Sequence, residues 1–248
     1  MKIQIVGYGT VGSAQAYLMQ KLGHETFIYD PYKGYSKIQK DADITFICTP
    51  ENNVEEAIQT LISEKVQGLY AIKSTVPVGT TQNLIEKYDV HICHNPEFLR
   101  EKYAYEDVIT PSRIVIGQCC AQHGNCLDQL YRILNKPIYR VNPTTSELIK
   151  LVSNALRAVS ISFWNELYLL CQKVQADIKV IAEAADPAKV LGEWEGGKWG
   201  TRFFGKPYGG KCLPKDMKHL IDAFIHVDLN PAILEAVEKV NRSIKNAH

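Results

Sequence analysis

Short apolar runs alternate with amphipathic stretches of helix length over roughly the first 140 residues. Apolar runs bounded by turn residues predict strands at 2–6, 26–30, 44–48, 69–73, 91–94, 113–117 and 137–141. Between them, apolar positions recurring every three to four residues predict helices at 11–22, 54–62, 80–87 and 121–134. Strands separated by helices call for crossover connections and a mainly parallel sheet, the doubly wound dinucleotide-binding pattern.

The character changes after Asn142. Pro143, Thr144, Thr145 and Ser146 supply helix-start residues, and no Gly or Pro follows until Pro187. Residues 144 to about 175 read as one helix of roughly 48 Å. Leu148, Val152, Ala155, Val159, Phe163, Leu167, Leu170 and Val174 keep an apolar stripe along it. So long a helix outruns what a small domain covers, which predicts a homodimer through 144–175. A Gly/Trp/Lys-rich stretch from Gly192 to Gly210 reads as a functional loop, and 217–246 is amphipathic with a break at Pro231. The expected fold is α/β: a Rossmann domain with a doubly wound parallel sheet over 1–142, then an all-α domain with a long central helix over 143–248.

A net charge of +1, with the basic cluster from Lys33 to Lys40 interleaved with Tyr, Gly and Gln, gives no case for nucleic acid. No stretch approaches a membrane span, and the chain starts directly on a strand without the apolar segment of a signal peptide. Of the seven cysteines none forms a Cys-x-x-Cys pair, so the chain is read as reduced, cytoplasmic and without a metal site. Cys48, Cys93 and Cys171 sit in apolar runs as buried fillers.

Gly7-Tyr8-Gly9-Thr10-Val11-Gly12 follows the first strand and opens the first helix. The first glycine makes the tight turn, the second admits a pyrophosphate to the backbone, and the third lets helix pack on strand. The second strand ends on Asp30, an acid placed to accept from a ribose 2′-hydroxyl, which favours NAD over NADP. Thr49 and Pro50 after the third strand, and Ser74 and Thr75 after the fourth, join these cofactor-contact candidates at the carboxyl edge of the sheet. Asn95-Pro96-Glu97 follows the fifth strand in the same way.

Tyr208-Gly209-Gly210-Lys211-Cys212-Leu213-Pro214-Lys215-Asp216 is the most unusual segment. A cysteine after two glycines has little cover, and two flanking lysines favour its thiolate. Lys150 and Asn154, four apart, share one face of the long helix. That face lies opposite the apolar stripe, and in isolation it reads as the solvent side.

These segments together resemble the UDP-glucose/GDP-mannose 6-dehydrogenase family. In order they are Gly7–Gly12, Ser74-Thr75-Val76-Pro77-Val78-Gly79-Thr80, Asn95-Pro96-Glu97-Phe98-Leu99-Arg100-Glu101, 111–117, Glu147-Leu148-Ile149-Lys150 through Asn154, Ile161-Ser162-Phe163 with Asn165-Glu166-Leu167, and Gly209 to Asp216. The resemblance implies two successive NAD-dependent oxidations of a nucleotide sugar's C6 alcohol to a carboxylate. Cys212 would form a thiohemiacetal and then a thioester, and Lys150 and Asn154 would hold the oxyanion. Asp216 would pair with Lys150 and orient a water, Glu97 would move protons during hydrolysis, Thr75 would position a water, and Glu101 would assist.

Departures from the family pattern accompany the matches. The family's C-terminal nucleotide-gripping domain has no counterpart before His248, and the segment from Asp30 to Asp41 is short. Lys102 stands where the family generally has Gly. No clean match exists for an arginine upstream of the glycine loop; Arg202 and Lys198 are the candidates. Two other readings compete: a two-domain hydroxyacid dehydrogenase making one hydride transfer, and a non-catalytic NAD-binding partner subunit.

Overall fold

The first strand already shows how the sheet is covered. Along β1 (Lys2–Val6), Ile3 and Ile5 enter one apolar cluster while Val6 enters another, because successive side chains of a strand point to opposite faces. The computed structural model describes residues 1–185, 206–210 and 212–246. It divides into two compact units, Met1–Lys150 and Leu151–His248.

In the first unit β1 is followed by β2 (Glu25–Tyr29), β3 (Ile44–Ile47), β4 (Leu69–Ile72), β5 (Ile92–His94), β6 (Ile114–Gly117) and β7 (Ile138–Val141). They form one seven-stranded sheet in the order β2-β1-β3-β4-β5-β6-β7. All neighbours are parallel except β5 and β6, which pair antiparallel through His94 and Gly117. The order reverses at β1, so the glycine loop opens at the switch point where α/β sheets bind ligands.

The helices are α1 (Thr10–Lys21), α2 (Val54–Ser63), α3 (Thr80–Tyr88), α4 (Ala104–Ile109) and α5 (Ala121–Tyr131). Ala14 and Leu18 of α1, Ala104 and Val108 of α4, and Leu127 and Leu130 of α5 share a cluster with Ile3, Ile5 and Phe46. On the other face Val54, Ile58 and Leu61 of α2 and Leu84 of α3 pack on Val6, Ile47 and Ile72. Each fully buried Leu or Ile is worth roughly 1.5–3 kcal/mol, so both faces are strongly held. The expected strands are present within a residue or so at each end. The sequence pattern did not indicate α4, a six-residue helix with two buried residues.

α6 (Pro143–Val174) starts in the first unit and continues into the second. Its first turns are tied to the sheet unit. Glu147, 1% exposed, accepts from the amide of Gly79 (2.6 Å) and from the amide and hydroxyl of Thr81 (2.8 and 2.6 Å). α3 has no side-chain cap of its own at Gly79, so Glu147 caps it across 68 residues of chain.

The second unit adds α7 (Ile178–Ala184), α8 (Leu213–His226) and α9 (Ala232–Asn246). α8 and α9 flank Pro231, the break expected there, but α8 begins at Leu213, four residues earlier than the pattern predicts. Pro214 in its first turn needs no amide partner and presets the helical backbone.

Candidate active site

The glycine loop is shaped by close approach. Gly7 turns at φ +86°, and a Cβ there would meet the Cys48 and Thr49 backbone at 3.0 Å. A Cβ on Gly12 would fall 1.9 Å from the Gly7 carbonyl, so α1 could not seat on β1. A Cβ on Gly9 would meet nothing within 4 Å. Gly9 thus borders open space at the N-terminus of α1, where the first amides and the positive dipole end favour a phosphate. This cradle fits a dinucleotide pyrophosphate.

Asp30, just past β2, accepts from the Tyr8 amide at 2.8 Å, and Lys33 Nζ donates to the Tyr8 carbonyl at 2.7 Å. Both hold the loop against the short segment after β2, which folds back through paired backbone bonds between Asp30 and Tyr35. A cavity of about 650 Å³ opens beside them, lined by Tyr8, Gly9, Thr10, Lys33, Tyr35 and Glu101 among others. Of the further cofactor candidates, Val11 is half-buried, Thr49 is half-buried and Pro50 exposed. Ser74 Oγ donates to the Thr49 carbonyl at 2.6 Å, joining the turns after β3 and β4, and Thr75 beside it is half-buried.

Behind these turns lies a polar group that sequence reasoning missed. Lys73 is 6% exposed; its Nζ donates to Asn95 Oδ1 at 3.0 Å, which also accepts from Tyr131 Oη at 2.7 Å. Asn95 Nδ2 donates to the Val115 carbonyl at 2.8 Å. Burial pulls Lys73 down to about 8 and pushes the Cys48 thiol beside it up to about 12. Cys93 and Cys171 are buried, whereas Cys48 is partly exposed as a residue. The signal for this network was the lysine directly after an apolar strand.

Lys150, 5% exposed, pairs with Glu97 at 2.9 Å, and its ammonium lies 5.4 Å from the Phe98 ring centroid. Glu97 also accepts from the Leu99 amide, which fixes the carboxylate in the turn after β5. In the second unit Asn154, 4% exposed, donates to Asp216, 1% exposed, in the first turn of α8. The second oxygen of Asp216 is buried without a hydrogen-bond partner among the described residues, with Lys215 Nζ 3.7 Å away.

Lys150 and Asn154 are both buried, so their face of α6 is not the solvent side that it reads as in isolation. The apolar stripe is instead partly open, with Val152 41%, Phe163 58%, Leu170 56% and Val174 61% exposed. Glu97 neutralises Lys150, and Asn154 donates to one oxygen of Asp216.

Cys212 is exposed and sits as the N-cap residue of α8, with its carbonyl accepting from the Asp216 amide at 2.9 Å. A helix N-terminus stabilises a thiolate. The approach to it is anchored: Tyr208 exchanges bonds of 2.8 and 3.1 Å with the Asn241 side chain, and Asn165 Nδ2 donates to the Lys206 carbonyl at 2.8 Å. Lys211, Lys198, Arg202 and most of the loop from Gly192 lie outside the described residues. Glu101 is exposed at the cavity rim.

Comparison with known proteins adds the following. Residues 31–135 match the NAD binding domain of the UDP-glucose/GDP-mannose dehydrogenase family, and residues 144–243 match its central domain. The chain is 35% identical over 230 residues to UDP-glucose 6-dehydrogenase YwqF of Bacillus subtilis, covering 84% of this chain and 50% of that protein. It is 33% identical over 247 residues to UDP-glucose 6-dehydrogenase of Rickettsia bellii, covering 91% and 55%. The chain spans about half the length of these relatives. A solved UDP-glucose dehydrogenase from Pyrobaculum islandicum superposes with a TM-score of 0.84 at 28% identity, over 98% of this chain and 68% of that one.

Proposed function

The chain belongs to the UDP-glucose/GDP-mannose dehydrogenase family, and on that premise we propose that it oxidises the C6 alcohol of a nucleotide sugar to the carboxylate with NAD. The observation that carries this reading is the burial of Lys150, Asn154 and Asp216, at 5%, 4% and 1% exposure. An apolar core has no use for an ammonium, an amide and a carboxylate, and hydrophobic replacements of equal volume would cost less.

Gly7, Gly9, Thr10, Val11 and Gly12 would hold the pyrophosphate, Asp30 the ribose, and Thr49, Pro50, Ser74 and Thr75 the nicotinamide end. NAD when bound supplies a hydride acceptor. Cys212 adds through sulfur to the aldehyde carbon made by the first oxidation, giving a thiohemiacetal. Loss of a second hydride leaves a thioester, which water cleaves to release the acid and restore the thiol. Lys150 and Asn154 donate to the oxygen that gains charge at each addition. Glu97 exchanges protons with the attacking water, Thr75 and Asp216 orient it, and Glu101 supports the loop. A second copy of the chain covers α6.

The test is NADH yield per substrate with UDP-glucose, GDP-mannose and free sugar phosphates. Two NADH per substrate are expected, with C212S losing the second. One NADH per substrate with full activity in C212S would move the reading to a hydroxyacid dehydrogenase. NAD binding without turnover, unaffected by K150A, would mark a non-catalytic subunit.

A further inference from the structure

The antiparallel pairing of β5 with β6 has a consequence at the edge of the sheet away from the glycine loop. His94 faces Gly117, so each step past Gly117 moves one residue back along β5. Cys119 and Cys120, in the turn from β6 into α5, therefore arrive beside Ile92 and His91, at the entry of β5. His123 stands in the first turn of α5 and leans over the same point.

One atom from each of His91, Cys119, Cys120 and His123 lies within 4.8 Å of every other. His123 Nδ1 faces both sulfurs, 3.0 Å from Cys120 Sγ and 3.6 Å from Cys119 Sγ. The two imidazole rings approach to 4.5 Å between centroids. His91 is exposed and the other three are half-buried, so the cluster is reachable from solvent. Zinc–sulfur bonds near 2.3 Å and zinc–nitrogen bonds near 2.0–2.1 Å set tetrahedral ligand separations of about 3.3–3.8 Å. The cluster has to contract by about 1 Å at its widest to reach that geometry.

We infer that His91, Cys119, Cys120 and His123 form a closed, four-ligand site for a zinc ion. Two thiolates and two neutral imidazoles suit a borderline-soft cation without redox chemistry. Binding releases the two thiol protons to solvent and exchanges the ion's waters for two Zn–S and two Zn–N bonds. Cys119 Sγ lies 3.8 Å from the Cys93 sulfur and 3.6 Å from His123 Nδ1, so both a second thiol and an imidazole border it. The ion staples the β6–α5 turn to the start of β5. A metal site here departs from the sequence reading, which expected none. Its signal was weak because the cysteines are adjacent and the ligands come from two separate segments.

The test uses the full chain, reduced and freed of metal with a chelator, titrated with Co²⁺ alone and then Zn²⁺. Expected are one bound Co²⁺ with thiolate-to-cobalt charge transfer and tetrahedral d–d bands, displacement by one Zn²⁺, and a rise in Tm with zinc. C119S/C120S loses the charge-transfer band, whereas C212S, which removes the exposed thiol of the second unit, keeps it. H91Q and H123Q, at partly exposed positions that leave the thiols in place, weaken zinc binding by at least about tenfold each. The inference is overturned if the tetrahedral signal survives in C119S/C120S, or if no metal binds while all thiols titrate as reduced. It is equally overturned if peptide mapping finds Cys93 and Cys119 joined as a disulfide in the freshly purified protein.

Discussion

Two buried bases make single residues visible in the pH dependence of stability. His94 is fully buried, its Nδ1 2.8 Å from Ser146 Oγ, and burial lowers it to about 3. The unfolded chain takes up a proton near pH 6.5 and the folded one does not, so stability falls as pH drops from about 6.5 towards 3. The limb approaches about 1.4 kcal/mol per pH unit, and H94N, which keeps a partner for Ser146, flattens it in denaturant titrations. Lys73 gives a second limb of the same sign: stability rises between pH 8 and 10.5, where the unfolded chain alone holds the extra proton. K73M abolishes that rise and leaves neutral-pH stability unchanged or higher. The position of Lys73 directly after an apolar strand hinted at burial, but the partners of neither residue were legible in the sequence. Lys73 meets Asn95, and through it Tyr131 of α5, while His94 meets Ser146 of α6; these partners lie far along the chain, and periodicity within one strand carries no trace of them. The turn at Gly7 and the close approach at Gly12 were legible, because strand, glycines and helix follow one another directly along the chain.

At the scale of elements, the glycine loop separates packing from binding. G12A puts a methyl 1.9 Å from the Gly7 carbonyl and must push α1 off β1. It should cost about 1–3 kcal/mol and abolish NAD binding together. G9A projects into open space from a backbone at φ −78°, so Tm should hold while NAD affinity falls, as calorimetry would show. If G9A leaves affinity intact, the phosphate cradle lies elsewhere. Strand and long-helix positions were readable because alternation and the three-to-four repeat run over enough residues. α4 is too short for a repeat to appear. α7 carried a readable signal that was passed over: Asp177 caps it by accepting from the amides of Lys179 and Val180. On α6 the repeat identified the helix, but not that Lys150 and Asn154 are buried against the carboxylates of Glu97 and Asp216, which come from other segments.

For the whole molecule, the stripe left open on α6 is the basis for the proposed dimer. Leu156, at 55% exposure, joins Val152, Phe163, Leu170 and Val174 on a surface whose enclosure by a second copy would be worth several kcal/mol. F163K with L156E should shift sedimentation from dimer to monomer; an unchanged sedimentation coefficient would remove this helix as the contact. Assembly of the first unit has its own condition. Strands β1 to β7 end at Val141, yet Gly79 and Thr81 find the acceptor for their three donors only at Glu147. A fragment ending at 142 should melt well below one ending at 150, by the roughly 1–3 kcal/mol that a buried unmet donor costs. For a nascent chain leaving the ribosome this sets a waiting period. The sheet is complete in sequence before it can close, and the cap of α3 stays open to water until the first two turns of the next helix have cleared the exit tunnel.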